Sequence, residues 1–228
     1  MERNYQLTAL ASLDLEELHR RTAFHEAGHA AAIHIRNKQQ QLPPVFFEIQ
    51  IKRPHDDVQN LFAQVIDGNL IQNLPIAVIE SLSSISSSGQ HSCQRAYEAD
   101  VVNLLVGPLA EAKYVSIRDG EAFNPALIDL NALSHYGGYS DLEKAQHYLE
   151  HFITSKALRE KKLLELLTEA YRFVDNTKNW VCIRNLSYFI LDSQQETISC
   201  DDAINIFEQT LAGPRPTHWP NGISLSGR

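Results

Sequence analysis

Two histidines and a glutamate lie close together near the start of the chain, as His25-Glu26-Ala27-Gly28-His29. Residues four positions apart on an α-helix lie on the same face, about 5.4 Å apart along its axis. Two imidazoles at that spacing can bind one Zn²⁺ ion, and the glutamate beside them can reach a water molecule on that ion. The H-E-x-x-H pattern therefore predicts a zinc site in which His25 and His29 are ligands and Glu26 is a general base.

The neighbours of the pentad favour a buried helix over a solvated one. They are largely apolar: Ala23, Phe24, Ala30, Ala31, Ile33 and Ile35. Burying two histidines and a glutamate without partners costs about 1–3 kcal/mol for each unsatisfied group. A metal ion removes that cost, which argues against a chance occurrence of the pattern. Gly28 weakens the helix by about 1 kcal/mol relative to alanine, and it either lets another segment approach closely or is simply tolerated.

A catalytic zinc ion usually has three protein ligands and one water molecule, so the pentad needs one more ligand. The metzincin pattern requires a histidine six residues after His29, and it is excluded because that position is Ile35. His34 is one residue too early and is interpreted as a histidine on the helix surface. Four carboxylates on later segments remain as candidates for the third ligand: Glu98, Asp100, Glu111 and Asp141.

The composition excludes several other classes of protein. The chain has 228 residues, a net charge of −8 and no run of basic residues, so nucleic acid is not an expected partner. No window approaches about 18 uninterrupted apolar residues and no signal peptide is evident, so we expect a cytoplasmic protein without a membrane span. Cys93, Cys182 and Cys200 have no ligand-like spacing and are expected to be free thiols, buried or half-buried.

Hydrophobic periodicity predicts a mainly α-helical fold with a small β-hairpin or sheet beside the helix of the pentad. Helices are expected over residues 13–36, 75–82, 96–115, 140–152, 157–174, 181–191 and 201–211. Gly107-Pro108 is expected to interrupt or kink the third of these, and Ser140 or Asp141 to cap the fourth. Strands are expected over 45–52 and 61–66, and loops over the serine-rich residues 81–92 and over 118–139.

Three segments resemble a known family. Residues 22–30, T-A-F-H-E-A-G-H-A, closely resemble the T-A-Y-H-E-A-G-H-A segment in the peptidase domain of FtsH-type ATP-dependent zinc metalloproteases. Residues 105–112, L-V-G-P-L-A-E-A, look like that family's L-G-G-R-A-A-E-E helix, with Pro108 in place of the arginine. Residues 140–145, S-D-L-E-K-A, are similar to its N-D-L-E-R-A-T element, whose aspartate is the third zinc ligand. By that match the third ligand is Asp141, and Ser140 replaces the asparagine.

The resemblance covers residues 13–212 and implies a zincin-like peptidase domain between an N-terminal extension at 1–12 and an extended proline-rich tail at 213–228. It implies that Zn²⁺ is held by His25, His29 and Asp141, and that Glu26 assists hydrolysis of peptide bonds in short or unfolded polypeptides. The family's phosphate-binding G-x-x-x-x-G-K-[ST] loop does not occur in the sequence, so we expect activity without ATP and leave room for a separate ATPase as a partner. The short strands are expected to present an edge on which a peptide pairs.

Two other interpretations of the same residues stay open. One is a degenerate peptidase fold that keeps zinc but acts as a binding or adaptor module. The other is a structural zinc domain, although structural sites usually have four protein ligands. The sequence leaves the natural substrate and the oligomeric state open.

Overall fold

The computed structural model describes residues 15–52, 62–71 and 87–213, with the backbone alone for 87–92. The expected N-terminal extension, the helix expected at 75–82 and the tail after Gly213 lie outside the described residues. Within them the fold is mainly α-helical with one small antiparallel sheet, as predicted. In this part of the chain no helix is long and apolar enough to cross a membrane.

The helix of the pentad is the first described element and continues beyond the pentad in two further turns. It comprises α1 (Leu15–Ala31), a π-helical turn (Ala32–Arg36) and a last α-helical turn (Asn37–Gln39). The later α-helices are α2 (Ser87–Arg118), α3 (Leu130–Ser134), α4 (Tyr139–Glu150), α5 (Lys156–Asp175), α6 (Thr177–Asp192) and α7 (Cys200–Ala212). A 3₁₀ turn, Pro125–Leu127, lies between α2 and α3.

The sheet has three strands in the order β2-β1-β3, and both pairs are antiparallel. The strands are β1 (Phe47–Ile51), β2 (Ala63–Asp67) and β3 (Thr197–Ile198). Strands β1 and β2 are the predicted pair, and Gly68, with a φ of +78°, makes the turn that follows β2. The short β3 was not predicted, because a two-residue strand acquires its partner only when residues about 150 positions earlier fold beside it.

Helix α1 lies at the centre of the molecule and packs against α2, α6 and β2. It approaches α2 closely at Gly28, where an added Cβ would lie 2.8 Å from the Cβ of Ala110 and 2.9 Å from the carbonyl oxygen of Val106. Gly28 is therefore required for close helix packing and is not merely tolerated. This packing buries the pentad in the main hydrophobic core.

Helix α2 and the start of α4 differ from the sequence-based prediction. Residues 87–92, expected to form a loop, are helical, and α2 runs through Pro108 without interruption. A proline inside a helix costs about 3 kcal/mol, and the burial of α2 between α1, α4 and α5 offsets that cost. Helix α4 begins at Tyr139 with Gly138 at the capping position, so Asp141 lies inside the first turn and is not a cap.

Candidate metal centre

Three side chains that the sequence singled out converge in the core. His25 and His29 come from α1 and Asp141 from the first turn of α4. Each is at most 1% exposed, and their ligand atoms all lie within 4.8 Å of one another. Among the described residues, no other set of three or more histidine, cysteine, aspartate or glutamate side chains comes together in this way.

The distances between the ligand atoms fit one small metal ion. The Nε2 atom of His25 lies 3.1 Å from Oδ2 of Asp141, and Nε2 of His29 lies 3.6 Å from Oδ1 of Asp141. Two atoms bonded to a tetrahedral zinc ion, each at about 2.0–2.1 Å, are about 3.3–3.4 Å apart. The two distances, each to a different oxygen of Asp141, lie on either side of that value.

The hydrogen bonds behind the imidazoles leave both Nε2 atoms available for a metal. Nδ1 of His25 is 3.2 Å from Oε2 of Glu111 and 3.2 Å from the carbonyl oxygen of Tyr136, so it carries the proton and donates to both. Nδ1 of His29 donates to the carbonyl oxygen of Asn103 at 2.8 Å. Nε2 of His29 is buried without a hydrogen-bond partner. Both Nε2 atoms therefore point away from these hydrogen bonds, and Nε2 of His25, which lies 3.1 Å from Oδ2 of Asp141, can bind a metal once it loses its proton.

Glu111 supports the site without being a ligand. Its Oε2 faces His25 from behind, and its Oε1 accepts a hydrogen bond of 2.8 Å from Nε of Arg21. The carboxylate is fully buried. Of the other two candidates for the third ligand, Glu98 pairs with Lys162 at 3.4 Å, and Asp100 accepts backbone hydrogen bonds elsewhere in the core.

The carboxylate of Glu26 reaches from α1 to strand β2. Its Oε2 accepts a hydrogen bond of 2.7 Å from the backbone N–H of Val65 in β2. Its Oε1 is buried and has no hydrogen-bond partner. Val65 lies opposite Ile49 of β1, but its N–H donates to Glu26 and not to β1. In an antiparallel strand, alternate residues direct their N–H groups to opposite edges. The edge of β2 that does not pair with β1 therefore faces α1.

Two glycines make room for the convergence of α1, α2 and α4. A Cβ at Gly107 would lie 2.3 Å from both Cε1 and Nε2 of His29, so the imidazole rests directly on the backbone of α2. A Cβ at Gly138 would lie 2.8 Å from the Cβ of Pro108 and from the carbonyl oxygen of Leu133. Pro108 therefore packs at the point where the chain turns into the helix of Asp141.

The charges of the site favour a cation between the imidazoles. Burial lowers the pKa of His25, but hydrogen bonds to Asp141 and Glu111 and the charges of Asp141 and Glu26 outweigh it and raise that pKa to about 9. Burial raises the pKa of Asp141, but His29 and His25 outweigh it and hold that pKa well below its ordinary range. The acidic groups thus stabilise positive charge where a divalent ion would bring it.

Sequence reasoning missed Arg21, Asn103 and Gly107. Arg21 is one helical turn before His25, and Asn103 is one turn before Gly107, so helical spacing was the one signal that linked each to the site. The predicted surface role of His34 agrees with its Nε2 lying 3.0 Å from the exposed carboxylate of Glu208. The three cysteines are free and buried, as expected.

Comparison with known proteins gives no match, either to a family model or to a curated protein. The resemblance to FtsH-type peptidases therefore depends on the short segments at 22–30, 105–112 and 140–145. The structure supports a metal site without that resemblance, because it brings His25 and His29 of α1 close to Asp141 of α4.

Proposed function

We propose that this protein is a zinc-dependent metallopeptidase of the zincin type, which hydrolyses peptide bonds in short or unfolded polypeptides without ATP. One observation carries the proposal: His25, His29 and Asp141 direct three ligand atoms at one buried point, with the carboxylate of Glu26 on the same helix. Three ligands with an adjacent glutamate are typical of catalytic zinc sites, whereas structural sites usually have four ligands.

Each residue has a separate role in the proposed reaction. His25, His29 and Asp141 would hold the ion, and a bound zinc ion would supply Lewis-acid chemistry for water and for the scissile carbonyl. Oε1 of Glu26 has no hydrogen-bond partner, so it is available to take the proton of the attacking water and pass it to the leaving amine. Oε2 of Glu26 stays on the N–H of Val65, which holds the carboxylate in place.

The outer edge of β2 supports an extended peptide as the substrate. An extended chain that pairs with this edge forms main-chain hydrogen bonds and runs beside α1 and Glu26. Pairing needs a substrate backbone that is free of its own secondary structure, which favours unfolded or short polypeptides. The same N–H of Val65 now donates to Glu26, so a peptide that reaches the site has to displace that bond or move β2 away from α1.

A second candidate function is a zinc-containing binding or adaptor module without catalytic activity. The observation that favours it is the complete burial of the site, because the side chains of His25, Glu26, His29 and Asp141 are all 0–1% exposed. A polypeptide cannot bring a peptide bond to the metal site unless the site opens. The two candidate functions share the metal site. They differ in whether the site opens to a polypeptide, either by loss of the hydrogen bond between Val65 and Glu26 or by movement of β2.

The deciding experiment combines metal analysis with digestion of casein and of a peptide library. We expect about one Zn²⁺ per chain and cleavage by the wild type. Glu26→Gln should keep its zinc and lose activity by about 10²–10⁴-fold, because an amide cannot accept the water's proton. Cleavage by Glu26→Gln at the wild-type rate would remove Glu26 from the mechanism, and zinc-loaded wild type without activity would favour the adaptor module.

A second experiment tests the proposed substrate class. The wild type is incubated with a stable folded reporter and with a destabilised variant of that reporter, each with and without ATP. We expect cleavage of the destabilised reporter alone and no effect of ATP, because the sequence carries no phosphate-binding loop. ATP-stimulated cleavage of the stable reporter by this chain alone would contradict the proposal.

A further inference from the structure

We propose that Arg21 is a positioning residue of the metal centre, which holds His25 and the turn before Asp141 in register. Arg21 lies on α1, four residues before His25, and is 8% exposed. Its side chain donates hydrogen bonds to Glu111 and to the carbonyl oxygen of His135. This role presupposes the proposed zinc site, but it does not depend on peptidase activity.

The first contact of Arg21 acts on His25 through Glu111. Nε of Arg21 donates to Oε1 of Glu111 at 2.8 Å, and the other carboxylate oxygen is 3.2 Å from Nδ1 of His25. The guanidinium thereby fixes the orientation of a carboxylate, and the carboxylate fixes the ring and the tautomer of a ligand. Glu111 is fully buried, so a charged donor is needed to keep its negative charge in the core.

The second contact acts on the chain that leads to Asp141. Nη2 of Arg21 donates to the carbonyl oxygen of His135 at 3.2 Å, and its guanidinium carbon lies 5.8 Å from the ring centre of Tyr136. The carbonyl oxygen of Tyr136 accepts from Nδ1 of His25, so this turn is attached to the first ligand as well. Helix α4, which carries Asp141, begins three residues later.

One side chain therefore joins three segments that are distant in the sequence. The planar guanidinium of arginine has donors in fixed directions, so it can hold Glu111 and the carbonyl of His135 at the same time. The ammonium group of lysine is compact and lacks this fork. The geometry requires an arginine at position 21 and not merely a positive charge.

The test measures zinc affinity by competition with a chelator, together with the visible absorption spectrum of the cobalt-substituted protein. We expect Arg21→Met to lower the affinity by about 10–100-fold and to shift the cobalt bands, since residues behind the ligands have effects of that size. Arg21→Lys should restore the affinity only in part. Arg21→Met combined with Glu111→Gln should lose little more than either change alone, because both break the same chain of contacts.

Arg36 offers a matched control. It is also a buried arginine, 6% exposed, in the π-helical turn that follows α1, and it pairs with Glu169 at 2.6 Å, away from the ligands. Arg36→Met should destabilise the metal-free protein less than Arg21→Met, because the carboxylate of Glu169 is 42% exposed, and it should leave the zinc affinity and the cobalt spectrum unchanged. If Arg21 had only a structural role, Arg21→Met would lose stability but, like Arg36→Met, keep the zinc affinity and the cobalt spectrum of the wild type.

Several outcomes would overturn the proposal. They are a zinc affinity of Arg21→Met equal to that of the wild type, an equal loss in Arg36→Met, and additive losses in the double variant. If Arg21→Met does not fold, Arg21→Lys and Glu111→Gln carry the test, and wild-type affinity in both would contradict it. A wild type that binds no zinc would overturn the metal site as well, whereas zinc binding without peptidase activity would leave the role of Arg21 intact.

Discussion

Asp141 and Asp100 are two buried aspartates in very different surroundings. Both are 1% exposed, both lie on helices of the core, and both were candidates for the third ligand from the sequence. Asp141 faces the imidazoles of His25 and His29. Asp100 faces backbone, because its two oxygens accept hydrogen bonds of 2.8 and 2.9 Å from the N–H groups of residues 70 and 71, just after β2.

The electrostatics of the two carboxyls diverge accordingly. Burial raises the pKa of both, and the imidazoles reverse this for Asp141, whose pKa lies well below its ordinary range. The backbone hydrogen bonds reverse it only in part for Asp100, whose pKa is raised to about 6. Burial alone therefore does not distinguish a metal site from a structural contact. The groups that converge on the carboxylate distinguish them.

The largest expected difference between the two regions is in zinc binding. Asp141→Ala should lower the zinc affinity by more than about 100-fold, the upper limit for residues behind the ligands, because it removes a ligand itself. Asp100→Asn should keep the affinity within about twofold of the wild type, as expected for a distant site without shared partners. Metal analysis and chelator competition measure both. Equal losses of zinc affinity in the two variants would contradict the distinction between Asp141 and Asp100. If Glu98 or Glu111 proves to be the residue required for zinc binding, that residue and not Asp141 is the third ligand.

Gly107→Ala should disturb the metal site around Asp141 and leave the hydrogen bonds of Asp100 intact. The new Cβ would lie 2.3 Å from two atoms of the ring of His29, so the imidazole has to leave its place. We expect a stability loss of about 1–3 kcal/mol, typical of overpacking, and loss of most zinc binding.

Gly120→Ala is the control for this change. It places a Cβ in open space at a φ of +73°, so it strains the backbone by about 1–2 kcal/mol without reaching the site. Thermal unfolding and metal analysis of the two variants separate the effects. Full zinc binding by Gly107→Ala would show that His29 has another position available.

The effect of pH on zinc binding should come from His25, which lies beside Asp141. The pKa of His25 in the folded, metal-free protein is raised from 6.5 to about 9, so its proton stabilises the fold fully below pH 6.5 and loses this effect as the pH rises to about 9. Zinc has to displace that proton. Its affinity should therefore increase by up to about tenfold per pH unit between pH 7 and 9. Titrations at three pH values, with proton release measured by calorimetry, test this. A pH-independent affinity would contradict the assignment of His25.

The surroundings of Asp100 should affect stability and its pH dependence without changing zinc binding. Asp100→Asn replaces one of two accepting oxygens by an amide group, so we expect a stability loss of about 1–3 kcal/mol at low pH. The raised pKa of Asp100 means that the wild type loses stability as the pH rises from 3.8 to about 6, because a buried charge forms. Asp100→Asn lacks that loss. Denaturant unfolding should therefore show that the difference in free energy of unfolding between the two proteins is smaller at pH 7 than at pH 4. A larger difference at pH 7 would contradict the raised pKa of Asp100.

Local sequence was sufficient for most of the long helices and for half of the site, but it missed α3 and the 3₁₀ turn within the loop expected at 118–139. The spacing of His25 and His29 places both imidazoles on one face of any α-helix, whatever surrounds it, and Glu26 follows from the same geometry. Apolar periodicity likewise predicted the hairpin of β1 and β2 and the C-terminal helices. It erred at residues 87–92, which are helical, and at Pro108, where the burial of α2 outweighs the local cost of a proline.

Tertiary structure decided how the site is completed. Four carboxylates satisfied the ligand count, and the resemblance at 140–145 selected Asp141 among them. The packing of α4 against α2 brings Asp141, rather than Asp100, to the imidazoles. The contacts of His25 with Glu111 and of His29 with Asn103 join residues 86 and 74 positions apart. No local pattern encodes such pairs, because they form only when buried helices pack closely enough to exclude water and leave each polar group one partner.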